Sequence, residues 1–149
     1  MQSPSVSHEA ALERLVQFYE TISLTSVRTR LGHIYAPTAS FKDPFNEVTG
    51  LADISAIFEH MFEQVDAPRF VVKARVLQNG QAFITWDFIF GIKRSSRAAL
   101  CVRGATHLLF DADGKVTLHR DYWDAAEELY EKFPVVGGFM RLLKKLANT

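Results

Sequence analysis

Cys101 is the only cysteine in the 149 residues, so a disulfide within the chain is excluded and a reducing compartment fits. Runs of about 18 apolar residues are absent, and the N-terminus lacks a basic segment leading into an apolar one. The expectation is a cytoplasmic protein with no membrane partner. Excess charge is missing as well: 17 basic and 17 acidic side chains cancel, which leaves no global field to hold nucleic acid. The five histidines are scattered without the paired spacing of a metal site, and neither metal nor cofactor is expected. Repeats, low-complexity tracts and linkers are also lacking, which points to a single domain over 1–149. At 48% hydrophobic content such a length can bury a full core. What is abundant is aromatic surface: twelve Phe, four Tyr and two Trp, which can line a core or a small-molecule pocket equally well.

Helical patterns come first and strand patterns afterwards. From Ser7, an N-cap residue type, Leu12, Leu15, Val16, Tyr19 and Ile22 recur on one helical face, which puts Tyr19 on the buried side. Val27, Leu31, Ile34 and Tyr35 repeat the spacing from Thr25 to Tyr35, and Pro37 is expected to end that helix. Ala39 to Asp43 alternates as a short strand. Leu51, Ile54, Ile57, Phe58, Met61, Phe62 and Val65 then mark a third amphipathic helix. After Pro68 the period becomes two, through Phe70, Val72, Ala74 and Val76, and Asn79-Gly80 signals a hairpin. Residues 82–92, "AFITWDFIFGI", read as a central strand buried on both faces. Past a "KRSSR" turn, strands at 98–110 and 115–123 complete a meander of four long antiparallel strands. Residues 1–6 are expected to be disordered. The tail resumes helical spacing near 125–132 and 139–147, a helical C-terminal extension broken by Pro134 and Gly137-Gly138.

Chemistry concentrates in two short stretches. In "SFKDPFNEVTG" Asp43 precedes Pro44, which favours an extended backbone at Asp43 and a strand end or edge there. It reads either as a solvated turn acid or as a carboxylate aimed into an apolar pocket among Phe41 and Phe45. In the pocket, lost hydration would raise its pKa toward the range of a general base. Tyr19, if buried, needs a partner for its hydroxyl, which a backbone carbonyl or a ligand oxygen could supply. In "KVTLHRDYW" alternation puts Thr117, His119, Asp121 and Trp123 on one face, and the ordinary reading sends that polar set to solvent. His107 and Arg103 fall on the opposite face from Thr106, and Asp87 is out of phase with Trp86, Phe88 and Phe90. These three are expected to face solvent, a subunit partner or a polar network. Cys101 has no thiolate-stabilising setting in the sequence.

Helix, helix, strand with an Asp-Pro end, helix, then a long meander resembles the cone-shaped nuclear transport factor 2-like fold. "YAPTASFKDPF", the Gly50-x-x-x-Ile54 spacing, and "FDADGKV" followed by "YW" are most similar to its ketosteroid isomerase and SnoaL-like polyketide cyclase branch. The resemblance implies an α+β fold, a strongly curved antiparallel sheet wrapped around three helices. It also implies that Tyr19 and Asp43 face one cavity, lined by Tyr35, Phe58, Trp86, Phe88 and Trp123. Where the isomerases carry a second acid this chain has Thr106, so the site implied is a variant with Thr106 against the ligand. Trp123 as a cavity residue would carry His119 and Asp121 inward as a further acid/base pair. The implied function is an isomerase- or cyclase-like enzyme that binds a small hydrophobic carbonyl compound, with Asp43 as base and Tyr19 as hydrogen-bond donor. A non-catalytic ligand-binding or assembly module, or water activation as in the epoxide hydrolases of the superfamily, which pair aspartates with an arginine, are the alternatives. A homodimer through the outer face of the sheet is implied as well.

Overall fold

The computed structural model describes residues 7–93, 98–124 and 127–128. The "KRSSR" turn beyond Lys93, residues 1–6 and almost all of the C-terminal extension lie outside the described residues. Three helices, α1 (His8–Glu20), α2 (Leu24–Ile34) and α3 (Leu51–Gln64), cover one face of a six-stranded sheet. Its strands are β1 (Tyr35–Lys42), β2 (Glu47–Thr49), β3 (Val65–Gln78), β4 (Gln81–Ile92), β5 (Leu100–Phe110) and β6 (Val116–Tyr122), in the spatial order β2-β1-β6-β5-β4-β3. The sheet is curved and open, in keeping with the cone-like α+β fold expected. Its composition is mixed rather than wholly antiparallel, because β1 runs parallel to β6.

Local chemistry accounts for the element boundaries. The Ser7 hydroxyl accepts the Ala10 amide at 3.1 Å, and Ser23 and Ser26 form a reciprocal capping box at the start of α2. Asn79 (φ 52°) and Gly80 (φ 76°) both adopt the left-handed conformations that a tight two-residue hairpin requires. Two prolines behave differently from the sequence reading. The helix α2 stops at Ile34 without Pro37, which lies inside β1, where the pairing with β6 shifts register between Tyr35 and Ser40. Pro68 likewise falls within β3, between Asp66 and Arg69, where the β3–β4 register shifts and Ala67 takes φ 45°. Irregular pairing removes the need for a ladder N–H at each.

Inward residues of β4 alternate as Ala82, Ile84, Trp86 and Phe90, and meet Leu15, Val16, Phe18 and Tyr19 of α1 and Phe58 of α3 in one hydrophobic cluster. β4 is therefore not buried on both faces. Phe83, on the outer side, is 48% exposed, because no described element covers that side of the strand. A register shift between Leu109 and Phe110 brings Phe110 opposite Val116 and Leu109 opposite Leu118. Thr117 is left exposed while Val116 and His119 are both buried, so the simple alternation expected along this strand is broken at its start and holds from His119 onward.

Candidate active site

Helix α1 and strands β1, β5 and β6 bring four buried polar side chains to the centre of the core. Tyr19 and Tyr35 meet hydroxyl to hydroxyl. Nδ1 of His119 lies 2.8 Å from the Tyr35 oxygen and 3.3 Å from that of Tyr19. On the far side of the ring, Nε2 is 2.7 Å from Oδ1 of Asp121. The same carboxylate oxygen accepts the Thr106 hydroxyl at 2.6 Å, and Thr106 in turn accepts Nε1–H of Trp86 at 2.8 Å. The imidazole is fixed from its faces too, stacked on Phe41 with centroids 4.4 Å apart. Phe41 and His119 are register partners in the parallel β1–β6 pair, which explains the contact.

A cavity of about 160 Å³ opens beside this chain of bonds. Phe41, Phe45, Phe58, Phe70, Trp86, Phe88, Phe90 and Trp123 supply aromatic walls, and Asp43 and Asp121 both line it. Behind it an inner chamber of about 30 Å³ is lined by Tyr19, Thr106, His119 and Asp121 with apolar neighbours. Phe41, Phe58, Phe70, Trp86 and Asp121 face both spaces. The inner chamber has room for one small polar group.

Asp43 answers to both descriptions that the sequence left open. Its Oδ1 accepts the amides of Phe45 at 2.8 Å and Asn46 at 2.6 Å, and the Asn46 side-chain amide lies within 3.1 Å of both oxygens, so it closes a turn. It also lines the aromatic cavity. Burial pushes its carboxyl above the usual Asp range; the bonds from Asn46 and Phe45 oppose the shift, and the charge of Asp121 adds to it. Burial likewise raises the Tyr19 hydroxyl well above its ordinary value, with Tyr35 and Asp121 adding to the shift. Tyr35 is raised for the same first reason, and both phenols stay neutral.

Asp43 and Trp123 thus share one cavity, with Phe58, Trp86 and Phe88 in its walls, while Tyr19 and Thr106 open onto the inner chamber instead. Tyr35, expected against the ligand, lines neither space; it is wholly buried between Tyr19 and His119. Asp87 pairs with Lys73 at 3.4 Å, Arg103 is held by Glu127 and Glu128, and His107 stacks on Phe83 and bonds Gln81, all away from the cavity. Asn46, His60 and Gly104 are among the contributors that escaped the sequence reading. Asn46 binds Asp43, and an Asp followed by Asn three residues on is a side-chain turn signal that could have revealed it. Gly104 is the register partner of Trp86, and a Cβ there would lie 2.4 Å from Cη2 of the indole. A mid-strand glycine marks such a close approach.

A family model described as a SnoaL-like domain matches residues 15–119, and the chain belongs to that family. No curated protein matches. Among solved structures, a protein with a ketosteroid isomerase-like fold from Catenulispora acidiphila, in complex with trimethylamine, is 16% identical with a TM-score of 0.67, over 80% of this chain and 89% of its own. A nuclear transport factor 2-like protein of unknown function from Burkholderia pseudomallei is 12% identical with a TM-score of 0.69, over 84% and 97%. An epoxide hydrolase from M. tuberculosis is 13% identical with a TM-score of 0.67, over 95% and 98%. At these identities the likeness is one of fold.

Proposed function

We propose that this protein is an isomerase- or cyclase-like enzyme that binds a small hydrophobic carbonyl compound and removes a carbon-bound proton with Asp43. The observation that carries this reading is the carboxylate of Asp43 in an aromatic cavity, with the buried hydroxyl of Tyr19 in the chamber beyond. A raised pKa makes Asp43 a stronger base than a solvated aspartate once it is ionised. The aromatic walls suit a flat apolar substrate, and the trimethylamine complex of the Catenulispora protein is in line with a small-molecule partner.

Water activation is the second reading, favoured by one observation. Oδ1 of Asp121 is committed to Thr106 and His119 while the residue still lines both spaces, which leaves its other oxygen to hold a water. An arginine accompanies such chemistry in the resemblance, and Arg120 lies with Asp43 and Asp121 along an open cleft rather than in the aromatic cavity, so proton abstraction is preferred. The test is α-proton exchange of a cyclic enone in deuterium oxide, followed by NMR. Wild type should speed exchange and Asp43→Asn should not; binding without exchange would make the protein a ligand-binding module. The outer sheet face, with Val76, Phe83, Leu109 and Tyr122 exposed, supports a homodimer, which sedimentation equilibrium would reveal as twice the chain mass.

A further inference from the structure

The donor and acceptor roles along the buried chain follow from its two ends. An indole nitrogen can only donate, so Trp86 donates to Thr106, and the Thr106 hydroxyl hydrogen goes to Oδ1 of Asp121. With Asp121 ionised, Oδ1 carries no proton, and Nε2 of His119, 2.7 Å away, donates to it. In a neutral imidazole with its hydrogen on Nε2, Nδ1 is an acceptor. Tyr35 and Tyr19 have one hydroxyl hydrogen each, and two bonds consume them: one into Nδ1 and one between the two phenol oxygens. In this neutral form no hydroxyl hydrogen is left over for the inner chamber. Tyr19 presents a lone pair there, Asp121 presents a carboxylate, and the Thr106 hydrogen is already spent.

We propose that Asp121, His119, Tyr35 and Tyr19 form a directional proton relay whose neutral form makes the inner chamber a receptor for a hydroxyl, an alcohol or an enol. Resting on the proton-abstraction reading, this deepens it by naming the group that enters the chamber. A ligand hydroxyl donates to Tyr19. Passing its proton on moves the Tyr19 hydrogen to Tyr35 and the Tyr35 hydrogen to Nδ1, giving an imidazolium against the Asp121 carboxylate and an oxyanion in the chamber. When His119 has taken a proton from solvent, the same transfers in the opposite direction deliver that proton through Tyr35 and Tyr19 to a carbonyl oxygen while Asp43 takes one from carbon. In that direction the C–H electron pair becomes the C=C bond, the carbonyl π pair goes to oxygen, and an enol forms. Tyr35 and His119 are thus positioning residues that act through Tyr19. Among the described residues, the charged or titratable groups around the relay are Asp43 and His60 in the main cavity, and Lys42, Arg120, Tyr122 and Asp124 on the open side of Asp121.

The first test follows the His119 ring nitrogens of the free protein at mildly alkaline pH by long-range proton–nitrogen NMR correlation. A hydrogen on Nε2 and a bare Nδ1 are expected; a hydrogen on Nδ1 overturns the relay. The second compares cyclohexanol with cyclohexanone, a matched pair, by tryptophan fluorescence titration of wild type and Tyr19→Phe. The alcohol should bind wild type about tenfold more tightly, the equivalent of one buried hydrogen bond. The substitution should weaken the alcohol and leave the ketone unchanged. Weakening of the ketone instead would make Tyr19 a resting donor and sink the proposal, while leaving the cavity reading intact. If neither probe binds wild type, the cavity reading itself falls and the ring-nitrogen spectrum alone decides the relay.

Discussion

The two carboxylates of the cavity are held in opposite ways. Asp43 stands on a turn after β1, and among the described residues its bonds come from within three positions of it in sequence. Asp121 stands on a strand in the middle of the sheet, bonded by Thr106 from the neighbouring strand and by His119, whose other nitrogen reaches two further elements. A proton arriving on Asp43 disturbs one local turn. A proton arriving on Asp121 disturbs a buried network, because it weakens an acceptor shared by Thr106 and His119. The contrast gives one acid freedom to change charge during turnover and gives the other the task of holding polarity fixed.

Four experiments would break or sharpen that contrast. The largest effect belongs to Asp43→Asn, which keeps a side-chain oxygen for the turn and should lower proton exchange by about 10²- to 10⁴-fold with less than about 1 kcal/mol of lost stability. Undiminished exchange would remove Asp43 as the base. Asp121→Ala should cost about 3 kcal/mol in urea unfolding, because Thr106 and His119 both lose their acceptor. If it unfolds no earlier than Asp43→Asn, the two acids are not held differently. Gly104→Ala should cost about 2 kcal/mol and shift the tryptophan emission, since the added methyl displaces the Trp86 indole and with it the bond to Thr106; an unchanged spectrum would count against that packing. The smallest effect is the pH dependence from Asp43. Its pKa is raised on folding, so the associated stability is fully present below the ordinary Asp value of about 4 and is lost as pH rises through the folded value. Asp43→Asn should therefore gain on wild type in denaturation midpoint between mildly acidic and neutral pH. A constant difference would mean that burial leaves the carboxyl unshifted.

Much of the fold was legible in the sequence because it is written in local periods. The stripe of α1, the Asn79-Gly80 hairpin and the apolar run of β4 each involve residues close in the chain. The parallel pairing of β1 with β6 joins segments some eighty residues apart, and no local pattern encodes it. Alternation alone sends His119 and Asp121 to solvent, and only the family resemblance points them to the cavity. Tyr35 was placed with the right neighbours but against the ligand. Its actual position follows from α2 ending at Ile34 and β1 beginning at the next residue, a boundary that hydrophobic spacing does not fix to one residue. Phe83 went wrong for the opposite reason, since an apolar run alone cannot tell a doubly covered strand from one whose outer face is bare.

The register of Phe41 against His119 also bears on how the chain reaches its final state. Contacts between the first helix, the first strand and the last strand span most of the sequence, and such distant contacts form late because a long loop must close before they are made. The hairpins of β3, β4 and β5 can assemble from nearby residues alone. The buried tyrosines and the histidine meet only where β6 lies beside β1, so the chamber they line exists only once that long-range pairing is made.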